Sequence, residues 1–356
     1  MGKIRIAFTV NWEGRNLLGV EALTRLRDRL PAIPITHFVS AAYFGRGGDL
    51  GQIVDAMRPA FRKHDEVGLL VNPWFSLHGA LERDVPAVIR GEDPVLDIDY
   101  PGILAQHDCG YTRVLSAHRR PTLNALIGKS KALLAPLLRS LSQSPRVAVD
   151  AMLRGFRAGH GMASDTVLEE VLAAGFVYDA SALDALWAQR DANRVRDSAF
   201  GPWIERVARL WGADANDEMS VQNSHCLRGT AGFGVDRRTQ PFFVIQRDAR
   251  TRLLELPNNG GMLPPGTFTE LLTLLRSMLE LPVAGASHLS FGIHQETAGD
   301  GVAELVERSI GPLASEPGLE WTTLSATAAH LLDGVGERSL HAGAYRSLQG
   351  PRAEAR

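Results

Sequence analysis

Along this chain, short runs of continuous apolar residues take turns with stretches where apolar residues recur every three or four positions. Ile4–Val10 reads as a strand, and Gly19–Leu30 as a helix with Val20, Leu23, Leu26 and Leu30 on one face. Ile35–Ser40 reads as the next strand, Leu50–Lys63 as a helix and Glu66–Val71 as a short buried strand. The rhythm returns in Leu153–Arg157 (strand), Asp165–Ala174 (helix) and Phe176–Asp179 (strand). It continues with the strand Arg252–Leu256, the helix Thr267–Leu281, the strand Leu289–Ile293 and the helix Val302–Ile310. Trp321–Leu324 and Ala326–Leu332 are a last strand and helix. This alternation predicts an α/β fold on a mostly parallel sheet, open or closed.

Two stretches break the rhythm. Residues from about 75 to 121 are long, polar and mixed, with prolines at 86, 94 and 101, and those from about 183 to 241 carry aromatics and many charges. Connections this long in a compact domain are usually functional lids or inserted subdomains. Thr122–Ser142 between them is an amphipathic helix, and the polar tail 334–356 is expected to be flexible. The expected organisation is one domain over 1–333 with two insertions, followed by the tail.

The chain of 356 residues is long enough for one barrel-sized domain or two ordinary ones. With 45% hydrophobic and 22% charged residues and a net charge of -2, it lacks the basic surplus of a nucleic-acid or anionic-membrane partner. Cys109 and Cys226 form no CxxC pair, which argues against a disulfide scaffold or a zinc–cysteine site. The N-terminal run reads as a strand rather than a signal peptide, and no apolar run is long enough to span a membrane. The expected compartment is the cytoplasm.

The most telling local pattern is Phe156–Thr166. It reads as a strand end, a turn bracketed by Gly159 and Gly161, and a helix start capped by Ser164 or Asp165. Arg157 and His160 therefore sit at the mouth of a strand–loop–helix unit, the edge where α/β barrels place reacting groups.

Five strand ends in order resemble one family. They are Phe8–Gly14, Ile35–Val39, Glu66–Trp74, Phe156–Gly161 with the following Glu169–Ser181, and Leu289–His294; Glu320–Leu324 is similar to that family's last strand. Together they resemble the NodB-type polysaccharide deacetylases, over about residues 1–74, 150–182 and 250–332. The resemblance implies a distorted (β/α)7 barrel of the polysaccharide deacetylase type, with two long insertions and its site at the C-terminal strand ends.

Family members hold a divalent metal with one Asp and two His, use a second Asp as base and a closing His as acid. Here the opening aspartates fall on Asn11 and Trp12, the first metal histidine on Leu70, and the second on Asn72 or Trp74. The resemblance therefore implies a divergent member without the metal triad, and no cofactor is expected. Glu13 and His294 are the candidate acid–base groups, with Asn11 beside them. Trp12, Asn72, Trp74, Arg157, His160, Asn258, Asn259 and Glu296 are candidate substrate contacts, Trp12 and Trp74 as an apolar wall. Each has a plainer reading: Glu13 as a helix cap or partner of Arg15, Arg157 in a salt bridge, His160 in a solvated turn, the asparagines as turn residues, the tryptophans as volume fillers. His107, Asp108 and His118 in the first insertion point only weakly to a metal.

Three functions follow as expectations. The first is a metal-independent enzyme acting by acid–base chemistry on an amide, imide or similar group of a small cytosolic substrate, by hydrolysis or by isomerisation or cyclisation in a biosynthetic pathway. The second is a metal-dependent N-deacetylase with displaced ligands. The third is a non-catalytic carbohydrate- or partner-binding relative. The first is preferred, with a small-molecule partner and a possible homo-oligomer.

Overall fold

The computed structural model describes residues 3–14, 16–45, 49–71, 115, 120–142, 148–159, 163, 165–182, 239–246, 251–262, 269, 272–273, 275–276 and 288–333. Strand β1 (Ile4–Trp12) organises the sheet because it pairs with three others. Its second half, Phe8–Trp12, runs parallel to β2 (Ile35–Ser40), and Arg5–Asn11 runs parallel to β9 (His288–His294). Its first residues, Ile4–Ile6, pair with β10 (Leu319–Trp321), which fills the edge below β2.

The remaining strands are β3 (Glu66–Val71), β4 (Gly155–Ala158), β5 (Tyr178–Asp179), β6 (Phe242–Gln246), β7 (Arg252–Glu255) and β8 (Gly261–Met262). The order is β6-β7-β5-β4-β3-β2-β1-β9-β8, and among the described residues only the β6–β7 pair is antiparallel. This mixed sheet curls into a half-barrel. Segment 252–262 links the two ends of the curl: Leu256 and Asn258 donate to the carbonyls of Asp179 and Ala182 on one side, and Gly260 donates to that of Ser290 on the other. Counted as one bent strand, and with β10 set aside, it makes seven parallel strands around the curl, the number the resemblance implies.

The pleat sorts the side chains. From β1, Ile6, Phe8, Val10 and Trp12 pack in the larger core with helices α1 (Val20–Arg29), α4 (Arg120–Leu141) and α7 (Asp300–Ile310). Ala7 faces the interior with Phe38, Leu70, Tyr178, Leu254 and Leu256. Two glycines make this interior possible. A Cβ on Gly155 would lie 2.0 Å from the Tyr178 hydroxyl, and one on Gly68 would lie 2.7 Å from the Phe38 ring. The last helix, α8 (Leu324–Leu332), closes the bottom with Leu324, Ala328 and Leu331.

A buried carboxylate locks that closure. Glu66 accepts from the Tyr178 hydroxyl at 2.6 Å, the Thr36 hydroxyl at 3.0 Å, and the Ser325 backbone N–H at 2.9 Å and hydroxyl. Outside the sheet, the Trp12 indole donates to His37 Nδ1 at 3.0 Å, which fixes the proton of a neutral His37 on Nε2, 3.3 Å from Asp65. Burial lowers the His37 pKa in keeping with this neutral form, and Asp65 also pairs with the buried Arg27 at 2.8 Å.

The predicted elements that fall on described residues match closely, with two larger shifts; the predicted helix Thr267–Leu281 lies mostly outside the described residues. The helix predicted over Leu50–Lys63 ends at Met57, where Pro59 turns the chain into a 3-10 turn. The strand predicted at Trp321–Leu324 is Leu319–Trp321, because the Thr323 side chain already caps α8 through the Ala326 N–H. Strands β6 and β8 were not predicted. Both long insertions lie almost wholly outside the described residues, as do the tail and both cysteines. Among the described residues no helix is long and apolar enough to cross a membrane.

Candidate active site

The C-terminal strand ends bring a chain of polar side chains together. In the parallel register, Asn11 on β1 lies directly opposite His294 on β9. From β4, Arg157 reaches across the interior and donates from Nη1 to Asn11 Oδ1 at 2.8 Å and to Thr9 Oγ1 at 3.1 Å. The Asn11 amide donates in turn to Glu13 Oε1 at 3.3 Å, and His294 Nδ1 lies 2.9 Å from that same oxygen. Residues far apart in sequence thus form one relay: Arg157, Asn11, Glu13, His294. Arg157 and Asn11 are buried, whereas the side chains of Glu13 and His294 are 13% and 38% exposed.

Glu13 is held from behind. Its backbone N–H donates to Glu296 Oε1 at 3.1 Å, and the Tyr43 hydroxyl lies 3.1 Å from the same atom. Tyr43 also approaches Gln295 Oε1 and the Asn16 carbonyl, both at 3.0 Å. Burial, followed by the charge of Glu296, pushes the Tyr43 pKa well up, so the phenol stays a neutral donor. A carboxylate on His294 Nδ1 favours the tautomer with the proton there and leaves Nε2 as the basic nitrogen. Chemically, such a pair is able to pass a proton, with the carboxylate orienting the ring.

Arg157 carries the positive charge of the site. Its Nε donates to the Ala180 carbonyl at 2.9 Å, and its guanidinium carbon sits 4.1 Å from the centre of the Phe38 ring, a cation–π distance. Burial lowers its pKa to about 10, opposed by Tyr178, Asp179, Glu255 and Glu13, so it stays cationic at neutral pH. Asp179 and Glu255 are a buried, coupled pair. Ser181 gives Asp179 two hydrogen bonds, from its N–H at 3.1 Å and its hydroxyl at 2.7 Å. Burial pushes both carboxyls up, Glu255 the further with Asp179 beside it, so the two hold a proton between them more readily than free carboxylates do.

The predicted residues separate into three groups. Glu13, His294, Asn11 and Arg157 come together, with Glu296 as the support of Glu13. Trp12 does not join them: it is 0% exposed, on the opposite face of β1 from Asn11, and stacks on Phe61 at 5.4 Å. One residue along a strand is enough to send a side chain to the other face. Asn259 is not free to meet a substrate either. Its amide donates to the carbonyls of Thr239 and His288 and accepts from the Ser290 N–H. Asn258 is fully buried beside it, with both amide atoms lacking a hydrogen-bond partner among the described residues. Asn72, Trp74 and His160 lie outside the described residues, as do His107, Asp108 and His118. The pattern gave no hint of Thr9, Tyr43 or Met262. Tyr43 follows β2 in a short helical turn (α2, Ala42–Gly45) and carries no spacing that marks it.

The described residues do not fit the metal triad of the resembled family. Leu70 lies in the interior apolar cluster, Asn11 uses both ends of its amide, and Trp12 faces away. Among the described residues no three His, Cys, Asp or Glu side chains cluster as metal ligands would.

No protein-family model matches the chain, and no curated protein matches it. Among solved structures, a putative polysaccharide deacetylase from Mycobacterium smegmatis is similar over 99% of this chain and 96% of its own, at 13% identity and a TM-score of 0.53. The fold is of the polysaccharide deacetylase type. PuuE allantoinase is similar over 93% of this chain and 90% of its own, at 13% identity and TM-score 0.46. A probable polysaccharide deacetylase from Pseudomonas aeruginosa PAO1 has the same identity and TM-score over 93% of this chain. In a deacetylase-type fold, the relay occupies the strand ends where such barrels place their chemistry.

Proposed function

We propose that the protein is an enzyme that acts by acid–base chemistry at the C–N bond of an amide or imide in a small cytoplasmic substrate, without the metal triad of the family it resembles. The observation that carries this is the 2.9 Å contact between Glu13 and His294 at the barrel mouth. In the hydrolytic form of this reaction, His294 Nε2 removes a proton from water as the water attacks the carbonyl carbon. It then returns the proton to the departing nitrogen. Glu13 steadies the imidazolium in between. Arg157 supplies fixed positive charge where the carbonyl oxygen gains negative charge, and Asn11 ties it to Glu13. Binding a small substrate in the interior excludes water other than the attacking one.

The test is turnover of a panel of linear amides, cyclic imides and N-acetyl sugars by the purified full chain, with and without chelator. The expected result is hydrolysis of an amide or imide that survives chelation and fails in His294→Ala and Glu13→Gln. Activity that chelator abolishes and a divalent metal restores would overturn the metal-independent reading in favour of a deacetylase with displaced ligands.

A further inference from the structure

The bottom of the half-barrel, at the N-terminal strand ends, carries a feature that the chemistry at the mouth does not use. An open cavity of about 1080 Å³ lies there. One side of its lining comes from the turn ahead of β3, and another from the end of α4 with Met152 and Arg154 ahead of β4. Glu66 and Val67 at the start of β3 and Ser325 at the start of α8 complete it. The volume is that of a small-molecule pocket, far more than an ion needs.

The charged residues of this lining separate into spent and unspent. Asp65 accepts from Arg27 at 2.8 Å, from the Ile35 N–H at 2.9 Å and from the Arg62 N–H at 2.7 Å. Glu66 is saturated by the four hydrogen bonds that lock the bottom. Arg62 is spent as well: its guanidinium pairs with Asp28 and donates to the carbonyls of Pro59 and Phe61 at 2.6 and 3.0 Å. Arg58, Lys63, Arg154 and Asp55 remain, and none of these side chains has a hydrogen bond or ion pair among the described residues. Three cations against one carboxylate leave a positive surplus around one cavity. The backbone holds the cations there. Pro59, and the Phe61 N–H bonded to the Arg58 carbonyl at 3.0 Å, fix the turn that carries Arg58. The Arg154 carbonyl accepts from the Val177 N–H at 2.8 Å. Like charges placed beside low-dielectric walls repel one another and focus a positive potential into the cleft. The carbonyls of Leu137 and Leu138 at the end of α4, which would oppose an anion, are taken up by the Ser140 hydroxyl at 2.7 Å and the Ser142 N–H at 2.9 Å.

The lining also describes the ligand. Arginine forks match the oxygens of a phosphate, and a phosphomonoester brings about −1.5 to −2 charges at pH 7, enough to balance the surplus. Phosphate alone would fill only part of the basin. Phe61, Leu138, Leu141 and Met152 supply an apolar wall for an organic body beside it. We propose that this basin binds a small phosphomonoester with an apolar or aromatic body, its phosphate held by Arg58, Lys63 and Arg154. The site lies a strand's length from the relay at the mouth and is independent of the reaction there.

The test is calorimetric titration of the full chain at low salt with phenyl phosphate, inorganic phosphate and phenol. Phenyl phosphate is expected to bind at least about threefold more tightly than inorganic phosphate, because its ring adds apolar contact, and phenol not to bind. Arg58→Gln and Arg154→Gln are each expected to weaken phenyl phosphate at least about fivefold. Arg308→Gln, at an exposed position on α7, is expected to leave the affinity unchanged. The proposal is overturned if phenyl phosphate fails to bind at millimolar concentration, or binds no better than inorganic phosphate. It is equally overturned if both basin variants bind as the native chain does, which would place the anion at Arg157 or elsewhere. A loss in Arg308→Gln as large as theirs would leave only a diffuse effect of charge, and would overturn it too. Should Arg154→Gln not fold, Arg58→Gln and Lys63→Gln on the exposed turn decide.

Discussion

The bottom and the mouth of the half-barrel both bury charge, and they treat it in opposite ways. At the bottom, Glu66 takes four hydrogen bonds from Thr36, Tyr178 and Ser325, tying β2, β3, β5 and α8 to one carboxylate. At the mouth, Arg157 is held by Thr9, Asn11 and Ala180, but its Nη2 is left over, as is the buried Asn258 amide. A buried charge whose bonding capacity is used up within the protein stabilises the fold. One with capacity to spare costs stability unless something else completes it. The contrast assigns the bottom to holding the chain together and leaves bonding capacity to spare at the mouth.

The largest expected effect breaks the bottom. Glu66→Ala strands the Tyr178 and Thr36 hydroxyls and the Ser325 N–H, and should cost about 4 kcal/mol in urea unfolding, taking each lost bond at about 1–3 kcal/mol with partial rescue by water. A loss below about 1 kcal/mol would show that the lock is ornamental. Next comes His288, which qualifies the contrast because it is a buried interior group with neither ring nitrogen well bonded, although the Pro257 carbonyl is near. Burial pushes its pKa down to about 4. The unfolded chain therefore binds a proton in a window where the folded one does not. The stability attributable to a neutral His288 is full above about pH 6.5 and falls as the pH drops towards about 4, by at most about 3 kcal/mol. His288→Leu should flatten that part of the stability–pH curve; an unchanged slope would refute the assignment.

At the mouth, His294→Ala or Glu13→Gln should lower turnover about 10²-fold, with little change in unfolding free energy. A loss under about threefold for both would remove them from the mechanism. The smallest effect concerns support. Tyr43→Phe leaves Glu296 and Glu13 in place without the phenol proton, and should lower kcat by about three- to fivefold with KM nearly unchanged, a shift of about 1 kcal/mol. A change confined to KM would place Tyr43 in substrate binding instead.

Much of this molecule was legible in its sequence, for identifiable reasons. Strand–helix periodicity is a direct image of burial, so β2 and β3 fall on the predicted boundaries. Glu13 and His294 were singled out through the resemblance of their strand ends, and their contact follows from the parallel register that sets β1 and β9 side by side. Trp12 was misjudged for the same periodicity: beside Asn11 in sequence, it faces the helices. The Asn258–Asn259 pair shows where sequence runs out. The two residues are chemically identical neighbours, yet Asn259 uses its amide to bind β9 and Asn258 uses its amide for nothing within the described residues. Only the three-dimensional closure of segment 252–262 separates them.

That segment joins β5 to β9, which belong to opposite ends of the curled sheet, through a handful of backbone bonds. Such a closure is the part of the fold whose formation waits on the most distant pairings in the chain. Opening of the barrel should therefore begin there, and would register as amide exchange along 256–262 that outpaces exchange in β1 and β2.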